Sequence, residues 1–96
     1  MLNNKIFKTI KAILDLNLPD NSYKAFIFGS RATNSNRSFS DIDLGILGSK
    51  PLPSKNYINL IQAFEDSDIP YRTEIVDFSS VSDKFKEQAL IKTINI

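Results

Sequence analysis

The chain has 96 residues, 42% of them hydrophobic and 24% charged, which suits one domain with a single core (residues 1–96) and no second one. A formal net charge of +1 argues against direct nucleic-acid binding over a broad basic face, and no apolar run approaches the roughly 20 residues a membrane helix needs. Cysteine and histidine are both absent, which removes disulfides, thiolate or imidazole metal sites and Ser-His-Asp hydrolysis, so any metal must be held by oxygen. The opening MLNNKIFKTIKAIL lacks a signal-peptide core or cleavage site, and a cytoplasmic protein is expected.

Leu2, Ile6, Ile10, Ile13 and Leu14 recur at three- and four-residue intervals and predict an amphipathic helix, with Asn3 or Asn4 as its cap and Asn17 to Asn21 as its end. Lys5, Lys8 and Lys11 form its solvated face. A short apolar strand follows over Tyr23–Phe28, closed by Gly29. Ser30 to Ala32 reads as a brief helical turn and Thr33 to Ser40 as a polar loop. Asp41 to Leu47 reads as the second strand, ended by Gly48 and the Pro51/Pro53 segment. Ser54 caps a second long helix whose buried stripe is Tyr57, Ile58, Ile61 and Phe64. The acidic run Glu65, Asp66 and Asp68 at its end reads as a helix stop and solvated loop. YRTEIVDF supplies a third strand. Ser80 or Ser82 opens a last helix with Val81, Phe85, Ala89 and Leu90 inward, and Ile94 and Ile96 add a final short strand. The order α-β-(turn)-β-α-β-α predicts an α+β fold of two layers, a small mixed sheet with helices packed on one face.

Chemistry concentrates in FIFGSRATNSNRSFSDIDLGIL, Phe26 to Leu47. On a strand, Asp41 and Asp43 share a face, and two close carboxylates repel each other unless a cation lies between them. Hard oxygen ligands favour Mg²⁺, with Mn²⁺ as the alternative. Gly29 lets backbone approach a ligand closely, and Ser30 with the N–H groups after it can grip phosphate, with Arg31 and Arg37 adding charge. A third carboxylate is expected on a neighbouring strand. In YRTEIVDF, Glu74 and Asp77 point to opposite faces, so only one of them can join, and the mid-strand Glu74 is favoured. Taken singly, Gly-Ser is an ordinary turn and Asp-x-Asp an exposed strand face. In this order and spacing they make a metal–triphosphate site in which two metals serve an attacking oxygen and a leaving pyrophosphate.

GSRATNSNRSFSDIDL resembles the signature of the nucleotidyltransferase superfamily that includes DNA polymerase β, and most closely its minimal nucleotidyltransferases, whose domain has this same element order. The resemblance implies transfer of AMP from Mg²⁺-ATP to an acceptor hydroxyl. It assigns Asp41 and Asp43 to the metals, and Gly29 and Ser30 to the triphosphate. TEIVD stands where the family has its third carboxylate, so Glu74 replaces an Asp and carries its carboxylate about 1.5 Å further out. Asn34 stands where relatives often carry Gly. The resemblance further implies a partner, a helical HEPT-type toxin adenylylated on a tyrosine, with this chain as antitoxin in a homo- or hetero-oligomer. A binding module that neutralises its toxin by occupancy alone, and an antibiotic-type small-molecule transferase, are the alternatives.

Overall fold

The structure, a computed structural model, describes residues 4–29 and 42–96. The expected turn and loop between the first two strands, with Ser30, Arg31 and Arg37, and Asp41, the first residue of the expected second strand, lie outside the described residues.

The predicted first helix is α1 (Asn4–Asn17), with Ile10 and Leu14 buried and Ile6, Phe7 and Ile13 packed around them. Two of its last four carbonyls are satisfied locally. The Leu14 carbonyl accepts from the Leu18 N–H at 2.9 Å, and the Asn17 carbonyl accepts from the Asn56 side chain at 2.7 Å. The second bond ties α1 to α2 (Ser54–Glu65), the helix beside it.

The strands are β1 (Lys24–Phe28), β2 (Ile42–Leu47), β3 (Thr73–Asp77) and β4 (Ile94–Asn95), in spatial order β3-β2-β1-β4. β1 runs antiparallel to both β2 and β4, whereas β2 and β3 are parallel and joined through α2. The mixed sheet agrees with the sequence expectation. α1 and α2 cover one face, where Ala25, Ile27, Ile42, Leu44, Ile46 and Ile75 form the main core with Leu60 and Phe64.

A second, aromatic core of Phe26, Phe28 and Phe78 lies apart from the first, with Val76, Val81 and Ala89 packed against it. Phe85 of α3 (Asp83–Ala89) meets Phe28 and Phe78 edge-on or tilted, with centroids 6.1 and 5.9 Å apart. α3 therefore sits over this aromatic patch rather than among α1 and α2, which explains why β1 is buried at four successive positions. Gly45 belongs to the same patch. A β-carbon there would come within 2.5 Å of the Phe26 ring and 2.7 Å of the Phe78 ring, so only glycine lets the rings close over β2.

Three local expectations need correction. Leu60, fully buried, anchors α2, whereas Ile58 is 61% exposed and Ile61 37% exposed. Both stripes obey helical spacing, and the tilt of α2 against β3 selects Leu60 with Phe64. Ser54 is the first helical residue rather than the cap, and the cap position falls to Pro53, which makes no side-chain bond. In α3, Ser82 is the cap, its hydroxyl accepting from the Phe85 N–H at 3.1 Å, but Phe85 and Leu90 stay 43% and 40% exposed. Among the described residues no helix is long and apolar enough to cross a membrane.

Candidate active site

β1 ends at Phe28, and Gly29 follows with φ +76°, a left-handed conformation that costs an L side chain about 1–2 kcal/mol. A β-carbon on Gly29 would overlap the Asp43 carboxylate at Oδ2. The bare α-carbon thus lets that carboxylate lie directly against the turn where phosphate binding is expected.

Asp43 stands opposite Phe28 on one side and opposite Glu74 on the other. Residues in register on neighbouring strands point to the same face, about 4.8 Å apart. Phe28, Asp43 and Glu74 therefore form one row across three strands, on the face away from α1 and α2. The next row, Phe26, Gly45 and Val76, carries the aromatic patch. Asp43 is half-buried and Glu74 exposed, so the row opens toward solvent at β3.

This settles which of the two β3 acids shares the face of Asp43. Asp77 pairs with Ile46 on the helix-covered side and is held there: Oδ2 accepts from the Leu52 N–H at 2.9 Å, and Oδ1 from the Ser79 N–H and hydroxyl at 2.9 and 2.7 Å. Partial burial would raise its pKa, but the bonds from Ser79 and Leu52 outweigh this and hold the carboxyl below the usual carboxylate range. Asp77 anchors the turn after β3 and the segment leading to α2.

Two carboxylates side by side on an open face, in a chain without histidine or cysteine, fit a hard divalent cation. Among the described residues no cluster of three such ligands occurs, and Asp41, the further donor expected from the sequence, lies outside them. Beside Gly29 opens a cleft of about 310 Å³ with Phe28, Phe85 and Ile91 as apolar walls and Gln88 and Lys92 as polar ones.

Sequence reasoning missed the aromatic support of this row. Phe78 meets Phe26 and Phe28 edge-on at centroid distances of 4.8 and 5.2 Å and fixes the platform beside Asp43. The available signal was parity, since Glu74, Val76 and Phe78 alternate on one side of YRTEIVDF.

Known proteins share this fold. The family model for "Polymerase beta, Nucleotidyltransferase" matches residues 8–96. The "Probable protein adenylyltransferase MntA" of Haemophilus influenzae is 36% identical over 78 residues, covering 81% of this chain and 67% of that protein. A crystal structure of a toxin–antitoxin with AMP-PNP has the same fold, with a TM-score of 0.74 at 24% identity over 92% of this chain and 69% of that one. A structure of a tri-AMPylated Shewanella oneidensis HEPN toxin in complex with MNT antitoxin aligns with a TM-score of 0.59 at 26% identity, over 96% of this chain and 66% of its counterpart.

Proposed function

The chain belongs to the polymerase β nucleotidyltransferase family, and from that premise we propose that it transfers AMP from ATP to a tyrosine hydroxyl of a helical HEPT-type toxin, acting as its antitoxin. The observation that carries the reading is the row of Asp43 and Glu74 abutting Gly29, a carboxylate pair against a turn that no other residue fits.

Gly29 and Ser30 hold the triphosphate through backbone N–H groups and the serine hydroxyl, and Arg31 and Arg37 balance its charge. Asp41, Asp43 and Glu74 would hold Mg²⁺, which would neutralise the triphosphate, make the acceptor hydroxyl more acidic and steady the departing pyrophosphate. The acceptor oxygen attacks the α-phosphorus, the bond to the β-phosphate oxygen breaks, and pyrophosphate leaves. The hydroxyl proton passes to a carboxylate, assigned here to Glu74 on the solvent-open end of the row. The cleft beside Gly29 takes the adenosine, with Phe28, Phe85 and Ile91 against the base and Gln88 able both to donate to and accept from its edge.

The MntA homology and the AMPylated toxin seen with a related antitoxin support both the donor and the class of acceptor. Incubation with labelled ATP, Mg²⁺ and the toxin is expected to label the toxin on tyrosine. Asp43→Asn or Glu74→Gln should remove the label. Labelling that survives both changes overturns the residue assignment. Toxin neutralised equally well by an unlabelling Asp43→Asn variant would establish occupancy instead.

A further inference from the structure

β3 is the outer strand of the sheet, and among the described residues its free side is open along only part of its length. The Arg72 carbonyl accepts from the Ile42 N–H at 2.8 Å, and the Phe78 N–H donates to the Ile46 carbonyl at 2.8 Å. Residues of even number therefore turn their backbone groups toward β2. Alternation then turns the N–H and C=O of Thr73 and the N–H of Ile75 outward, away from the sheet. The Ile75 carbonyl receives only a long 3.5 Å approach from the Tyr57 hydroxyl. Beyond it the edge closes, because Asp77 is tied to Leu52 and to the Ser79–Ser80 turn.

A groove of about 650 Å³ runs along this open stretch, bounded by Tyr57, Ile61, Tyr71 and Arg72 and reaching Glu74. Thr73 lines it, and its Oγ1 is shut off from solvent with no hydrogen-bond partner among the described residues. The strand TEIVD carries no lysine, proline or bulge, and its inward-pointing charge, Asp77, blunts only the end beyond Ile75. The outward backbone groups of Thr73 and Ile75 and a groove that meets the carboxylate row are separate observations, and both suit a hydrogen-bonding occupant.

We propose that an extended segment of the acceptor protein adds to the edge of β3 as a further strand and thereby delivers its hydroxyl to Glu74. The inference rests on the transferase reading above. Main-chain bonds to Thr73 and Ile75 hold the segment whatever its side chains, as in other strand-addition complexes. Side chains on such a strand alternate, so the hydroxyl-bearing residue faces the Glu74 side. Its two neighbours lie over the groove of Tyr57, Ile61 and Thr73, where apolar chains with one polar group fit. The open stretch of Thr73 to Ile75 spans about 7 Å, far too short for the roughly 1,000 Å² of a stable dimer. It suits a short segment that leaves after transfer better than a second copy of this chain.

The probes are a ten-residue peptide containing the toxin's labelled tyrosine and two versions of it N-methylated at alternate backbone nitrogens, in the two possible phases. The unmodified peptide should accept AMP. One methylated phase should lose about tenfold in kcat/KM while the other stays within about twofold, since only alternate N–H groups meet β3. Equal labelling in both phases, equal loss in both, or a whole toxin labelled while the peptide is not, overturns the proposal. On the protein side, Thr73→Pro removes one outward N–H from an edge position that tolerates proline. It should cut peptide labelling about tenfold with AMP-PNP affinity unchanged. Amide exchange supplies an arm independent of transfer and of that variant's folding. The Thr73 and Ile75 amides should slow at least about tenfold when intact toxin binds. Protection without any labelling leaves the edge site standing and sinks the transferase reading. Unchanged exchange on toxin binding sinks the edge site alone. A free chain that sediments as a dimer with both amides already protected puts a second copy there and likewise overturns it.

Discussion

Gly29→Ala is the substitution that tests most directly whether the two halves of the candidate site touch. At φ +76° an alanine lies beyond the usual left-handed region and carries about 1–2 kcal/mol of backbone strain. Its methyl also lands on Asp43 Oδ2, so the carboxylate must leave its rotamer at a further cost of about 0.5–1.5 kcal/mol. Together these predict a loss of about 1.5–3.5 kcal/mol, or a Tm lower by roughly 6–28 °C for a domain of this size. The effect on transfer should exceed the effect on folding, because a carboxylate displaced by about 1 Å can cost about 10²-fold in rate. Urea unfolding followed by circular dichroism measures the first quantity, and initial rates of labelled AMP transfer the second. A double-mutant cycle with Asp43→Ala isolates the contact. With the carboxylate gone, Gly29→Ala should cost only the strain part, leaving a coupling of about 0.5–1.5 kcal/mol. Zero coupling, or a folded Gly29→Ala variant that transfers AMP at the normal rate, refutes the argument that Asp43 packs on the turn.

The two acids of β3 should separate function from stability. Glu74→Gln is expected to abolish toxin labelling with unfolding unchanged within about 0.5 kcal/mol, as for an exposed site, whereas Asp77→Asn should lower the urea midpoint and leave the kcat for transfer close to normal. Because the folded pKa of Asp77 lies below its unfolded value near 3.8, its contribution is present above that pH and is lost as pH falls through the folded pKa. The stability gap between wild type and Asp77→Asn should therefore vanish in strong acid, and a gap that widened there would reverse the sign of the argument. In α2, Leu60→Ala should cost about 2–5 kcal/mol by denaturant titration. Ile58→Ala should stay within about 0.5 kcal/mol, and equal losses at both positions would contradict the helix orientation.

The sequence by itself determined the order and kind of every described element, because helical and strand periodicities are written in side chains three, four or two positions apart. It also determined that Glu74 and Asp77 oppose each other across β3, since strand parity needs no knowledge of neighbours. It could not choose between Ile58 and Leu60 within α2, where both stripes obey the helical period and only the sheet beneath selects one. Nor could it foresee that Phe26, Phe28 and Phe78 converge over Gly45, for that depends on the register of β1, β2 and β3, which joins residues far apart in the chain. The hydrogen bonds that occupy Asp77 come from Leu52 and Ser79, again a matter of where chain segments meet. The open edge of β3 exists only because the strand order is β3-β2-β1-β4. Local chemistry named the carboxylates and the glycine. Long-range pairing decided which of them share a row, and left β3 as the outer strand beside it.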